Sequence, residues 1–185
     1  MSGVFINYRC DDSGTAAALI DRELAARFGN DRVFLDCRSV PVGADFADVM
    51  LARLRSCTVL VVVMGPRWLN LTGDMGARRI DDPTDWVRCE IAEALVHGLR
   101  VIPVLVDGAE LPTAGELPTD IAPLSGRQYA VLRHRHIDVD LSDLAERIAQ
   151  AEPEFAAPVP HRQERPVRTH LPRRRLVPRA RSRAT

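Results

Sequence analysis

Short apolar runs alternate along the chain with segments whose apolar residues recur at helical spacing. Five runs predict buried β-strands: GVFINY (3–8), RVFLD (32–36), TVLVVVMG (58–65), RVIPVLVD (100–107) and RQYAVL (127–132). The third run is nearly all β-branched, which is typical of a central strand covered on both faces. The fifth is expected at an edge of the sheet.

The segments between these runs predict amphipathic helices. Apolar residues share one helical face in residues 13–28 and 45–56, in the segment TDWVRCEIAEALVHG (84–98), and again around 141–148. In the third segment the inward positions are expected to be Val87, Ile91, Ala94 and Leu95, and Gly98 is the expected stop. This alternation predicts an α/β domain with a flavodoxin-like five-stranded parallel sheet, order 2-1-3-4-5, and helices on both faces. Ligands of such sheets bind at the carboxyl ends of the strands.

The charge of the chain divides it into two parts. Residues 1–155 carry 16 arginines against 24 acidic residues, whereas residues 156–185 carry nine arginines against one glutamate. The first part is predicted to be the folded domain. The second is rich in proline and arginine with little to bury, which predicts a disordered basic tail. Contact of this tail with nucleic acid or an anionic membrane is the less favoured interpretation, because it contains no aromatic residue for base stacking.

Several chemistries are excluded by residues that the chain lacks. The 185 residues include no lysine, which excludes a Schiff base, a P-loop and the lysine that a phosphoreceiver site needs beside Asp11 and Asp12. No glycine-rich dinucleotide fingerprint follows a strand, and no serine lies in a nucleophile elbow. The histidines and the four cysteines have no metal-site spacing, so no metal is expected. No signal peptide opens the chain, which favours a cytoplasmic protein.

Glu90 is the acidic residue whose position calls for an explanation. On a helical wheel it lies about 60° from Val87, at the margin of the apolar stripe, with Trp86 four residues before it. One interpretation is a partly solvated glutamate paired with Arg88 or Arg9. The other is a functional carboxylate, since a charge beside a buried face is costly unless it is used.

Five motifs in order resemble the Toll/interleukin-1 receptor (TIR) domain family, over roughly residues 3 to 150. They are VFINYRCDDS, VFLDCRSVPVGADF, VLVVVMGPRWL, DDPTDWVRCEIAEAL and VIPVLVDGAELP. The resemblance is greatest to the bacterial NAD-cleaving branch and to the animal TIR domain that destroys NAD in injured axons. It implies the flavodoxin-like fold described above, with residues 37–46 as the family's BB loop.

The resemblance also implies roles for individual residues. Glu90 matches the catalytic glutamate of the enzymatic branch. The substrate-binding positions that it implies are Tyr8, Arg9, Asp36, Gly43, Phe46 and Trp86. Relatives often carry a second basic residue where this chain has Cys10, a departure that weakens the expected phosphate contacts.

The implied activity is that of an NAD⁺ nucleosidase that uses NAD⁺ as substrate and needs no cofactor. It would release nicotinamide and either ADP-ribose or a cyclic isomer, in bacterial immune signalling such as anti-phage defence. The implied partners are further TIR domains, on whose assembly activity depends, and a separate sensor or effector protein. The alternative is a non-catalytic scaffold or adaptor that self-associates through the BB loop.

Overall fold

A computed structural model describes residues 3–35, 46–73 and 76–155, except for the side chains of residues 46–48. Its strands are β1 (Val4–Tyr8), β2 (Val33–Leu35), β3 (Val59–Met64), β4 (Arg100–Val106) and β5 (Ala130–Leu132). Its α-helices are α1 (Cys10–Phe28), α2 (Phe46–Arg55), α3 (Trp86–Val96) and α4 (Ile137–Ala151). Five short 3₁₀ helices complete these ranges: Arg79–Asp81, Ala114–Glu116, Ala122–Gly126, His134–His136 and Pro153–Phe155.

The five strands form one parallel sheet in the order β2-β1-β3-β4-β5, as the sequence predicts. Val4 of β1 pairs with Val33 of β2 on one side and with Val59 of β3 on the other. The sheet therefore reverses its strand order between β1 and β3, and their carboxyl ends form the switch point at which ligands of such folds bind.

Alternate residues of each strand contribute to two hydrophobic clusters on opposite faces of the sheet. Val4 and Ile6 of β1 pack with α1 and α4 in the first cluster. Phe5 packs with α2 and α3 in the second. All six residues of β3 are buried, which agrees with its β-branched composition and its place at the centre. The period of two along each strand thus decides which helix layer a residue contacts.

The helix boundaries differ from the predicted ones mainly at α1. That helix begins at Cys10 rather than at residue 13, with a kink at Ser13 (φ −131°, ψ 17°). The Ser13 hydroxyl donates a hydrogen bond to the carbonyl of Val63 in β3, at 3.1 Å, which explains the departure from helical geometry. Gly98 follows α3 at φ +69°, which confirms it as the residue that ends this helix.

None of the helices in the described ranges has the length and apolar character that crossing a bilayer requires. The tail at 156–185 and most of the BB loop lie outside the described residues. Their predicted properties stay predictions.

Candidate functional site

Glu90 is a buried member of the inner face of α3. The buried residues of this helix are Val87, Glu90, Ile91 and Ala94, spaced at intervals of three and four. Leu95, which the sequence analysis placed inward, is only half-buried. Glu90 is 1% exposed, so the interpretation as a partly solvated glutamate is wrong. The helix packs against β1, β3, β4 and α2, and these contacts extend its covered face beyond the apolar stripe.

Asn7 of β1 holds the Glu90 carboxylate. Its Nδ2 donates to Oε2 of Glu90 at 2.6 Å and to the carbonyl oxygen of Val87 at 3.3 Å. Asn7 is fully buried on the same face of the sheet as Phe5. A charge-assisted hydrogen bond of this kind supports a buried carboxylate that would otherwise be costly. The penultimate residue of β1 therefore fixes the carboxylate of the neighbouring helix.

A second polar contact joins β1 to the start of α3. Arg9 is 2% exposed and forms a bidentate ion pair with Asp85, with nitrogen–oxygen distances of 2.9 and 3.0 Å. Asp85 is the N-cap of α3 and accepts the backbone N–H of Arg88 at 3.1 Å. Nε of Arg9 also donates to the carbonyl of Trp68, and the guanidinium lies 5.7 Å from the centroid of the Trp68 ring.

These partners exclude the ion pairs that the sequence analysis considered for the helix. Arg9 has Asp85 as its partner, and Arg88 binds Asp120 through Nε at 3.0 Å. The fork of Arg9 is thus occupied by a carboxylate in this structure. Its contact with a substrate pyrophosphate stays a prediction.

Tyr8 and Trp86, two of the three aromatic residues of the implied site, lie in different places. Trp86 is the first residue of α3 and is 37% exposed, one turn before Glu90. Tyr8 packs with the first cluster, on the opposite face of the sheet from Asn7. A Cβ at Gly14 of α1 would lie 3.7 Å from Cε2 of Tyr8, which shows how close that ring is to α1. The structure thus places Trp86 near Glu90 along α3 and Tyr8 on the far side of the sheet.

Three of the implied substrate-binding residues lie wholly or partly outside the described residues. Asp36 and Gly43 lie outside the described residues. Phe46 opens α2, but its side chain is not described. Their roles stay predictions.

Asp12 fastens the loop after β3 to α1 at the same edge of the sheet. Its two carboxylate oxygens accept the backbone N–H groups of Gly65, at 2.8 Å, and Arg67, at 2.9 Å. The Arg67 guanidinium also donates to the carbonyl of Asp11. The Asp12 carboxylate therefore organises this turn, and among the described residues Asp11 contributes only its backbone carbonyl.

Two of the recesses on the described surface lie at opposite ends of the strands. One of about 380 Å³ lies beyond the carboxyl ends of β3 and β4, lined by residues that include Met64, Trp68 and Leu111. The other, of about 800 Å³, lies at the amino ends of β3 and β4, between Thr58 and Tyr129. The larger recess therefore lies at the opposite end of the strands from Glu90, which contacts Asn7 near the carboxyl end of β1. Within the described ranges, no three His, Cys, Asp or Glu side chains come together as a metal site.

Sequence reasoning assigned no role at this site to Asn7, Asp85 or Trp68. Two of them carried a signal. Asn7 is the one polar side chain within the apolar core of the first run, VFIN, and an aspartate directly before a predicted helix is a typical N-cap. Trp68 lies in a loop and gave none.

Comparisons with known proteins agree with this architecture. A family model described as the TIR domain matches residues 4–148. The fold is also similar to the TIR domains in a structure of the activated Roq1 resistosome directly recognizing the pathogen effector XopQ, with a TM-score of 0.56. That alignment has 13% sequence identity and covers 82% of this chain and 99% of the other, so it is evidence for the fold alone. On the family match, over most of its length, this chain belongs to the TIR domain family.

Proposed function

We propose that this TIR domain is an NAD⁺ glycohydrolase whose catalytic residue is Glu90. The observation that carries the proposal is the buried Glu90 carboxylate, held by Asn7 at 2.6 Å beside the switch point of a parallel sheet. A carboxylate fixed by a strand and a helix needs little reorganisation when charge develops next to it. Family membership supports the proposal, because it is the enzymatic branch that carries a glutamate at this position.

The chemistry of the substrate suits a single carboxylate. When the bond between nicotinamide and ribose breaks, its electron pair moves to the pyridine nitrogen, and nicotinamide leaves as a neutral base. No general acid is needed, because the pyridinium charge is lost in this step. The ribose becomes positively charged near its C1 atom, and an anionic side chain there stabilises the transition state more than the bound substrate. Water then adds to C1 and releases a proton to solvent, which gives ADP-ribose, or an adenine nitrogen adds to C1 and gives a cyclic isomer.

Trp86 and the implied nucleotide contacts complete the proposed site. The half-exposed Trp86 ring supplies a flat apolar wall one turn before Glu90. Asp36, Gly43 and Phe46 are proposed to bind the nucleotide. For Arg9, a pyrophosphate contact requires exchange of its Asp85 partner or use of the N–H groups that Asp85 leaves open.

The burial of Glu90 also bears on how activity is controlled. At 1% exposure the carboxylate is covered, so a nucleotide reaches it only after neighbouring groups move. We propose that self-association with other TIR domains, or a separate sensor or effector protein, supplies that change. On this proposal the single domain does not turn over NAD⁺. A cytoplasmic location and a role in anti-phage signalling belong to the same proposal.

The experiment compares nicotinamide release from NAD⁺ by the wild type and by Glu90→Gln, at high protein concentration and after forced clustering. Loss of one preorganised charge is expected to slow release by about 100-fold or more. Glu93→Gln is the matched control, because Glu93 is one turn on in α3 and pairs with Arg55 at the surface. Chromatography of the products distinguishes ADP-ribose from a cyclic isomer. Equal release by wild type and Glu90→Gln would defeat the proposal.

The second candidate function is a non-catalytic TIR–TIR scaffold, in which the contact between Asn7 and Glu90 only joins α3 to β1. In that case the wild type would assemble without consuming NAD⁺ under any clustering condition. Gly43→Pro in the implied BB loop would then abolish assembly, measured by light scattering, with no change in NAD⁺.

A further inference from the structure

We infer that Asn7 is a second functional group of this site, holding Glu90 through Nδ2 and accepting a hydrogen bond from a ribose hydroxyl of the substrate through Oδ1. The inference rests on the proposed function for the identity of the ligand. It rests on the structure for the placement of the amide.

The orientation of the Asn7 amide follows from the chemistry of its partners. A backbone carbonyl has no proton to donate, so the group that faces the carbonyl of Val87 must be the Nδ2 amino group. The same amino group faces the Glu90 carboxylate. Its two N–H bonds are thereby both used, and Oδ1 must point away from these two partners.

Oδ1 is the polar atom of Asn7 to which the described residues donate no hydrogen bond. It is also buried. Buried carbonyl oxygens almost always have a partner, because leaving one unmatched in a protein interior costs free energy. A buried amide that is satisfied on one side and open on the other, beside the proposed catalytic carboxylate, is explained if a ligand completes it.

The position of Asn7 fits a ribose contact. It lies on β1, one residue before the strand ends, at the edge where ligands of such sheets bind. Glu90 is proposed to act at C1 of the ribose, and the hydroxyls of that sugar are the nearest hydrogen-bond donors on the substrate. An acceptor fixed next to Glu90 is therefore placed to orient the ring on which charge develops.

The test separates binding from turnover by using Glu90→Gln as the background, since its amide oxygen still accepts from Asn7. Adding Asn7→Leu removes the donor and the acceptor at almost constant size. Adding Asn7→Asp instead keeps an acceptor for the substrate and accepts from the amide of the glutamine at position 90, but it loses the bond to the Val87 carbonyl. Equilibrium binding of NAD⁺ is measured by calorimetry, and folding by circular dichroism.

We expect Asn7→Leu to weaken NAD⁺ binding about tenfold and Asn7→Asp to restore it to within about threefold of the Glu90→Gln background. Thr58→Val is the matched control, because the Thr58 hydroxyl is another buried group without a hydrogen-bond partner among the described residues, at the opposite edge of the sheet. It is expected to leave binding unchanged. Both variants lose the bond to the Val87 carbonyl, so a difference in affinity between the folded aspartate and leucine variants reports the hydrogen-bond acceptor at position 7 rather than that contact.

Equal affinities of the leucine and aspartate variants, or no NAD⁺ binding in the Glu90→Gln background, would overturn the inference. The proposed function fails on a different observation, namely that the wild type releases no nicotinamide. NAD⁺ binding that depends on Asn7 in a protein without turnover would uphold the contact and reject the glycohydrolase.

Discussion

Arg9 and Asp85 form a bidentate ion pair whose side chains are only 1% and 3% exposed. Arg9 directly follows β1, and Asp85 is the N-cap of α3, so the pair fixes the start of that helix against the sheet. Arg79 approaches the same carboxylate at 3.5 Å. Since Glu90 lies on the second turn of α3, the pair also determines where its carboxylate stands. In this structure Arg9 is thus a positioning residue.

Asp85→Asn tests how much the fold depends on this pair. Asparagine keeps a good N-cap but removes the charge, which leaves a buried guanidinium without its counter-ion. Such a loss is expected to lower the free energy of unfolding by about 3–5 kcal/mol, measured by urea denaturation. Asp81→Asn is the control, because the Arg78–Asp81 pair is exposed, and its loss is expected to cost less than about 1 kcal/mol. Similar small effects of both changes would contradict this role of the buried pair.

Gly65→Ala tests the close contact between the β3 loop and Asp12. A Cβ at this position would lie 2.5 Å from Oδ2 of Asp12, the atom that accepts the Gly65 N–H. The methyl group must displace that carboxylate and weaken its bonds to both Gly65 and Arg67. The free energy of unfolding is expected to fall by about 2–3 kcal/mol.

A double-mutant cycle identifies the cause of this loss. If the clash with Asp12 is responsible, Gly65→Ala is expected to cost below about 1 kcal/mol once Asp12→Ala has removed the carboxylate. Strictly additive effects of the two changes would show that the cost arises elsewhere.

The sheet was predictable because its strands are apolar runs bounded by turn residues and the strand order follows from βα alternation. On the inner face of α3, Val87, Ile91 and Ala94 are buried as predicted, Leu95 packs against the same cluster but is only partly buried, and the burial of Glu90 was not predicted. Leu95 was placed inward and Glu90 at the margin, since a wheel cannot show that α2 and β1 both cover the same helix. Burial of a charge is decided by partners that the helix sequence does not contain, here Asn7.

Two features of the site show what a local pattern can and cannot give. Arg9 and Asp85 are 76 residues apart, and the sequence around each residue gives no signal that they form an ion pair. Tyr8 is different, because adjacent residues of a strand point to opposite faces. Once Asn7 and Phe5 are placed on the α3 face, the same period places Tyr8 on the α1 face. Strand geometry thus separates two neighbours, Tyr8 and Arg9, that the family resemblance grouped.

Asp140 is expected to contribute to stability in a pH-dependent way. Hydrogen bonds from the Arg133 side chain lower the pKa of the Asp140 carboxyl from 3.8 to about 2, against the opposing effect of burial. A lowered pKa in the folded state stabilises the protein above about pH 4, and this contribution is lost as the pH falls through about 2. Asp140→Asn is therefore expected to reduce the free energy of unfolding at pH 7, on the order of 1 kcal/mol because solvent screens the exposed Arg133.

Urea denaturation of the wild type and Asp140→Asn between pH 2 and pH 7 checks this expectation. The difference between the two proteins should shrink steadily below pH 4. Asp143→Asn is a control on the same helix, since its pair with Arg147 is exposed on both sides. A difference that stays constant down to pH 2 would show that Asp140 stabilises the fold by packing rather than by charge.

Exchanging the amide group of Asn7 with the carboxylate group of Glu90 separates the stability of their contact from its chemistry. Asn7→Asp alone sets two carboxylates where Nδ2 and Oε2 are now 2.6 Å apart, and it is expected to lower the free energy of unfolding by about 2–4 kcal/mol at pH 7. Adding Glu90→Gln restores the hydrogen bond between the two side chains but not the one to the Val87 carbonyl, so about half of that loss should be recovered in urea denaturation. Nicotinamide release should nevertheless stay as low as in Glu90→Gln, because the carboxylate now projects from β1 instead of α3. Release at the wild-type rate from the exchanged protein would show that a negative charge anywhere in this contact suffices, and that its placement on the helix does not matter.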